Sequence, residues 1–345
     1  SLSDNFSSNV IADRMLSLIN RRCQDEDFQS LHMPDLTIDH DHPYRGSYFK
    51  FQDLQSSQID ELNDSLKKPS DFESKDAWLK DRRAEFGRYG VIPPSTSELK
   101  ALESIKDLYA GERCFIIGNG PSLNKTNLNL LKDEYTFCSN KFYIKLSELD
   151  WIPSFFTCLD WRVTPDDSEN IQKFINDFPK VTKFIPNRFK HLLTPDSKSF
   201  WFESVPPGRY LRERFESDAT RCVRGGGTVS TAMIQLAAFL GFKKIYLIGM
   251  DVTYKIPPTV RQEGVDRFNT GIKINLTSLK DDDPNHFSPS YFGAGSRWHD
   301  PNVPEMKRGF RAAYLGAHMH GIAVYNATIG GGLDCIPRVN FDELF

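Results

Sequence analysis

A mostly parallel α/β sheet flanked by helices, preceded by a helical accessory region, is the architecture this sequence predicts. Three observations carry that expectation. From Arg113 onward, short apolar runs alternate with amphipathic stretches. The runs are bounded by Gly, Pro, Asn or Asp, as strands are. The stretch "GGGTVSTAMIQLAAFLGFKKIYLIGMD" reads as a capped helix running straight into a strand, the unit from which parallel sheets are built.

Taken in order, "RCFIIG" is the first strand, "EYTFCSN" the second, "SFFTCLD" the third, "TKFIP" the fourth, "KKIYLIGMD" the fifth and "GIAVYNAT" a late one. Upstream, Ser95 or Ser97 is placed to cap a helix through Leu102 and Ile105 toward Leu108. In the glycine-led unit, Val229, Met233, Leu236, Ala237 and Leu240 recur at helical spacing, Thr228 can cap the amino end and Gly241 can end the helix. Residues 1–95 have a different texture, polar and helix-leaning, with an apolar repeat at Val10, Met15, Leu16 and Ile19. They read as an accessory region, and 96–345 as the catalytic domain.

Bulk properties narrow the function. The chain has 345 residues, 39% hydrophobic and 26% charged, with a net charge of −3. No basic field exists to drive binding to nucleic acid or anionic lipid. The six cysteines form no CxxC pair, and three lie in or at the end of apolar runs, as reduced thiols of a cytosolic protein do. No apolar run approaches the roughly 20 residues that span a bilayer. The expectation is a cytoplasmic protein, associated with the inner face of a membrane at most through parts outside this chain.

The chemistry-bearing residues fall at the ends of the expected strands, where an open parallel sheet takes its ligands. In "GNGPSL", Gly118 and Gly120 allow close approach of the backbone, and Asn119 and Ser122 supply hydrogen-bonding side chains. This loop is neither a Walker loop nor a GxGxxG, and the bland alternative is a tight turn without ligand. Asn140 ends the second strand and suits a base or ribose edge. Asp160 ends the third and suits a sugar hydroxyl or a leaving group, although strand-end capping explains either residue alone. "RGGGTVS" joins Arg224, Gly226, Gly227 and Thr228 to a helix start whose exposed amides favour a phosphate or carboxylate. Asp251 closes the fifth strand. Asp281-Asp282-Asp283 contains an Asp-x-Asp but follows no strand and reads as a solvated acidic turn. "DHDHP" at 39–43 lacks a partner cluster for a metal.

"IIGNGPSL", "CSNKFY" and "RGGGTVSTAMIQLAAFLGFKKIYLIGMDVTY", followed by "NHFSPSYFG", together resemble the bacterial sialyltransferases that use CMP-sialic acid. They also resemble the wider MptE-like relatives, which include the motility-associated-factor glycosyltransferases. The resemblance covers about residues 110–330. It implies a Rossmann-like domain of the GT-A-variant kind and a CMP-sugar donor. Asn119, Gly120 and Ser122 would then hold the nucleotide, Asn140 the ribose or donor sugar, and the 224–230 turn the cytosine or donor carboxylate. Tyr254 would contact the departing phosphate. His286 would be the general base, with His299 as its rival and Asp300 beside that ring to orient it. No essential metal or other cofactor is implied.

Transfer from such a donor needs a base for the acceptor hydroxyl and donors for the leaving phosphate, and a histidine suits the first task near neutrality. The long polar stretch 255–301, with Arg261, Arg267 and Arg297, reads as a lid over the donor. The acceptor expected is a glycan of a growing capsule or lipopolysaccharide chain. Two other readings stay open: an ATP and Mg²⁺-dependent pterin-type diphosphokinase using Asp160 and Asp251, and a non-catalytic module of a polysaccharide-assembly protein.

Overall fold

The computed structural model describes residues 57, 60, 71–74, 77–78, 80–81, 92–206, 214–268 and 271–345. The expectations for Val10–Ile19 and for the 39–43 stretch lie outside the described residues. The described chain begins its regular structure at α1 (Thr96–Glu103), where Ser95 and Glu98 form a reciprocal capping box. This helix stops five residues short of the expected Leu108. Turns take over from Ser104, and the main-chain amides of Asp107 and Tyr109 donate instead to the carbonyls of Phe239 and Leu240.

The central sheet has seven strands: β1 (Arg113–Ile117), β2 (Tyr135–Ser139), β3 (Phe155–Thr157), β4 (Thr182–Pro186), β5 (Ser199–Phe202), β8 (Lys244–Ile248) and β12 (Ala323–Asn326). Their spatial order is β12-β8-β1-β2-β3-β4-β5, and every pairing is parallel. All six expected strands are present. The seventh, β5, has the sequence SFWF, too short to separate from a loop by pattern. A two-stranded parallel pair, β6 (Ser204–Val205) with β7 (Val223–Arg224), lies apart from it.

Parallel strands covered on both faces read as unbroken apolar runs, and β1, β2, β4 and β8 each bury their last four residues. The two faces carry separate cores. On one, Cys114, Ile116, Phe137 and Leu247 pack against α4 (Val229–Phe239) and α5 (Val303–Met319). On the other, Phe115, Ile117, Cys138 and Ile248 pack against Leu123, Phe142, Phe287 and Tyr291. Helix α4 is apolar all round, ten of its eleven residues being buried, because α5 and α1 cover what the sheet does not.

Strand order runs outward from β1 to β5 and then returns to β8 on the other side of β1. The strand order therefore reverses between β1 and β8, and in open parallel sheets the strand carboxyl ends at such a point are where ligands bind.

The stretch 255–301 is not the irregular loop its composition suggests. It holds a three-stranded antiparallel sheet, β11 (Arg297–His299), β10 (Gly271–Ser278) and β9 (Val260–Phe268), in the order β11-β10-β9. Residues 261–264 of β9, Arg-Gln-Glu-Gly, are exposed, so the period-two pattern is hidden there. The sheet is tied to the third-strand end by α2 (Val163–Asp166), through a bidentate pairing of Arg297 with Asp166. Helix α3 (Ser168–Asp177) follows α2. Among the described residues no helix is long and apolar enough to cross a membrane.

Candidate functional site at the reversal point

The two glycines of the β1 loop are accounted for by packing against the end of β8. A Cβ on Gly118 would collide with the Gly249 carbonyl, and one on Gly120 with the Asp251 carboxylate. The Gly118 and Gly120 amides donate to the carbonyls of Ile248 (2.8 Å) and Gly249 (3.0 Å). Ser122 is buried, and its hydroxyl donates to Asp251 Oδ2 at 2.7 Å. These three residues, expected to touch a nucleotide, instead fasten the β1 loop to β8.

Asn119 and Asn140 stand just past the carboxyl ends of β1 and β2. Asn119 Nδ2 donates to the Ser139 carbonyl (3.3 Å) and to the Tyr291 hydroxyl (3.1 Å). Its Oδ1 is buried without a partner, as are Ser139 Oγ and Asn140 Oδ1. Buried polar atoms are normally satisfied, so three orphaned acceptors on adjacent strand ends mark a place where a donor from outside belongs. Asn140 also adopts φ 52°, and Val252, just past β8, adopts φ 49°. Left-handed backbone at non-glycine residues costs of order 1–3 kcal/mol and gathers at functional sites. Of the three such residues described, two stand at this rim.

The third wall comes from the chain after β10. His286 Nδ1 lies 2.7 Å from Asp283 Oδ2, and the imidazole stacks on Tyr291 with centroids 4.0 Å apart and rings 3° from parallel. Tyr254 meets the same imidazole edge-on at 6.5 Å. Asp283 is held in turn: Oδ1 accepts from the Asn285 amide (2.8 Å) and Oδ2 from the Phe292 amide (3.2 Å). The whole segment is fixed to the first two strand ends, with the Phe287 amide donating to the Asn119 carbonyl, Asn124 Nδ2 to the Phe287 carbonyl and Lys141 Nζ to the Tyr291 carbonyl.

An imidazole whose Nδ1–H is committed to a carboxylate presents Nε2 as an acceptor. Burial, with the Asp283 and Asp251 carboxylates nearby, pushes the Tyr254 hydroxyl up to about 12. Burial likewise raises Tyr291 well above the usual phenol. Both stay neutral hydrogen-bond donors at physiological pH.

The acidic run at 281–283 is therefore no solvated turn. Asp281 accepts from the Ala294 amide, Asp282 from the Thr259 hydroxyl and Asp283 from His286. Among the described residues no three His, Cys, Asp or Glu side chains gather to hold a metal ion.

The remaining expected residues stand elsewhere. Asp160 Oδ1 accepts from the Arg162 and Val163 amides at 2.8 Å each, so it caps α2. The Arg224 main chain pairs with the Gln235 side chain. Thr228 caps α4 as expected, but Gly226 and Gly227 pack against α5, on the opposite sheet face from His286. His299 stacks against Trp161 at 4.8 Å beside α2. Asp300 Oδ1 accepts from the Ile274 amide at 2.7 Å. Sequence reasoning missed Tyr291 and Ser139, and it saw Asp283 only as part of a charge run. The i, i+3 spacing of Asp283 and His286 in a turn was the available signal.

Residues 94–257 match the family model described as 6-hydroxymethylpterin diphosphokinase MptE-like. The matched stretch covers just under half of the chain. It takes in β1 to β8, both asparagines, Asp251 and Tyr254, while Asp283, His286 and Tyr291 lie beyond it. No curated protein matches the chain. Two solved structures share distant likeness. The MAf glycosyltransferase from Magnetospirillum magneticum AMB-1 is 14% identical over 85% of this chain and 48% of its own, with a TM-score of 0.41. A mammalian sialyltransferase in complex with Gal-beta-1-3GalNAc-ortho-nitrophenol is 9% identical over 80% of this chain and 96% of its own, with a TM-score of 0.32. The chain thus spans about half the length of the first. The matched stretch supplies six of the seven central strands and two walls of the site, and the segment after it supplies the third, with the His286–Asp283 pair.

Proposed function

We propose that this protein is a glycosyltransferase that moves a sialic acid or related nonulosonic acid from a CMP-activated donor to a glycan acceptor, such as a growing surface polysaccharide. The observation that carries the reading is the His286–Asp283 pair, 2.7 Å apart and stacked on Tyr291, at the point where the strand order reverses. Asp283 holds the Nδ1–H, so Nε2 is the atom to accept the acceptor hydroxyl proton. As that oxygen bonds to the anomeric carbon, the bond to the CMP phosphate oxygen breaks. Charge then grows on the phosphate. The neutral Tyr254 hydroxyl is a donor suited to that charge. The unpartnered oxygens of Asn119, Ser139 and Asn140 suit the amino and hydroxyl donors of a nucleoside.

The test is direct. Incubated with CMP-N-acetylneuraminic acid and a galactose-ended acceptor, or with a panel of CMP-nonulosonates, the protein should release CMP and form a glycoside. His286→Asn should lower the rate by about 10²–10⁴-fold, the range for a general base. No release from any CMP-sugar would set the proposal aside.

The description of the matching family gives a second reading, pyrophosphoryl transfer to a pterin with ATP and Mg²⁺. Asp160 and Asp251 would have to hold the metal, and each already has a carboxylate oxygen bonded to protein donors. Thermal stabilisation by ATP with Mg²⁺ and none by CMP would favour it.

A further inference from the structure

Val252 is a β-branched residue in left-handed backbone, one position after Asp251 and two before Tyr254. Such a conformation persists only when the surroundings over-determine it. What surrounds it is the loop after β12. The Gly332 amide donates to the Asp251 carbonyl at 2.6 Å, and a Cβ on Gly331 would stand 2.9 Å from that same oxygen. Gly331 itself adopts φ 76°. A Cβ on Gly332 would come within 3.1 Å of the Thr253 methyl.

The loop is gathered by one side chain. The Arg338 guanidinium donates to the carbonyls of Thr328 (2.6 Å), Gly330 and Leu333 (3.3 Å). Asn326 Nδ2 supports the same turn through the Leu333 carbonyl at 2.9 Å, and the Thr328 hydroxyl accepts from the Met250 amide at 3.0 Å. The chain from Arg338 to Asp251 is thus continuous, through hydrogen bonds and one close main-chain packing.

We infer that Arg338 is a positioning residue: by holding three carbonyls of the 328–333 loop it keeps Gly331 and Gly332 pressed on the Asp251 main chain. That contact locks Val252 in its left-handed conformation and aims Asp251 at Ser122 and Tyr254 at His286. Arg338 touches no reacting atom. The inference rests on the reading of Tyr254 as the donor to the leaving phosphate. A planar fork suits the task, because its two terminal nitrogens meet carbonyls on separated parts of the loop that a single ammonium nitrogen would have to reach from one point.

The test compares the full-length protein with Arg338→Met and Arg338→Lys. Tyrosine labelled with ¹³C at Cζ reports the Tyr254 hydroxyl, its resonance assigned by loss in Tyr254→Phe. In Arg338→Met the Tyr254 titration should move down from about 12 toward the ordinary phenol value as the ring loses burial and drifts from Asp283 and Asp251. Donor KM should change little while kcat falls about 10–100-fold, the penalty of roughly ångström-scale misplacement. Arg338→Lys should fall between, and it carries the comparison if the methionine variant does not fold. An unmoved Tyr254 titration with unchanged kcat per folded molecule, whatever the loss in Tm, would overturn the inference. If the unmodified protein transfers nothing, the function reading falls, and the Tyr254 resonance alone decides whether Arg338 positions it.

Discussion

Asp283 does something the two aspartates before it do not: one of its oxygens meets an imidazole, and a backbone amide holds that same oxygen in place. Asp283→Asn keeps the size and the amide contact but removes the charge that stabilises the imidazolium formed during proton transfer. If His286 is the base, Asp283→Asn should lower kcat by at least about tenfold with Tm nearly unchanged. At Asn140 the prediction concerns strain. Asn140→Gly keeps the left-handed turn at little cost, whereas Asn140→Val should lose about 1–2 kcal/mol, read as a lower urea midpoint. The same position shows what a sequence conveys and what it conceals. That an asparagine ends the second strand is plain from "CSNKFY"; that it stands at φ 52° with an unpartnered oxygen is a property of the fold around it.

Among the elements, α5 and the β9–β11 sheet illustrate two kinds of attachment. Helix α5 is anchored by Arg214 and Glu305, which are 4% and 8% exposed and bonded to each other. Arg214→Met removes the buried one of the two arginines on Glu305, leaving only the exposed Arg308 at 3.4 Å, and should cost up to about 3–5 kcal/mol in urea unfolding. The Arg297–Asp166 pair that ties β11 to α2 is half exposed on the arginine side, so Arg297→Ala should cost at most about 1 kcal/mol. Equal losses from the two variants would contradict this account. The elements were unequally legible for the same physical reason. Strands buried on both faces announce themselves as apolar runs, which is why β1, β2, β4 and β8 stand where the pattern puts them. Residues 261–264 of β9 are exposed and polar or glycine, so that stretch imitates a loop. The glycines at 118 and 120 were legible as glycines that something must approach, but the approaching group is the end of β8 and not a ligand.

For the molecule as a whole, the buried thiols and phenols set a pH dependence. Burial pushes Cys158 from 9.0 up to about 12, raises Cys114 and Cys138 in the same direction, and pushes Tyr254 from 10.0 up to about 12. The folded chain keeps protons that the unfolded chain releases, so stability is full below about pH 9 and falls as pH rises toward 12. Each such group contributes a slope of about 1.4 kcal/mol per pH unit within its window. Urea midpoints at pH 8, 9.5 and 10.5 should decline progressively, and a flat series would contradict the burial of these groups. The mostly parallel α/β architecture was legible because buried strands read as apolar runs, whereas the strand order, reversing between β1 and β8, is set by packing that no local pattern carries. The site was legible only in part, since its third wall is contributed by a segment far along the chain whose packing no local pattern encodes.

The most direct measurement is a crystal structure with CMP bound. The account predicts nucleoside density against Asn119, Ser139 and Asn140, with the phosphate within hydrogen-bonding reach of Tyr254 and His286 Nε2 facing the open side of that phosphate. CMP seated at the Arg224–Thr228 turn away from these residues, or a site occupied by ATP with Mg²⁺ but not by CMP, would contradict it.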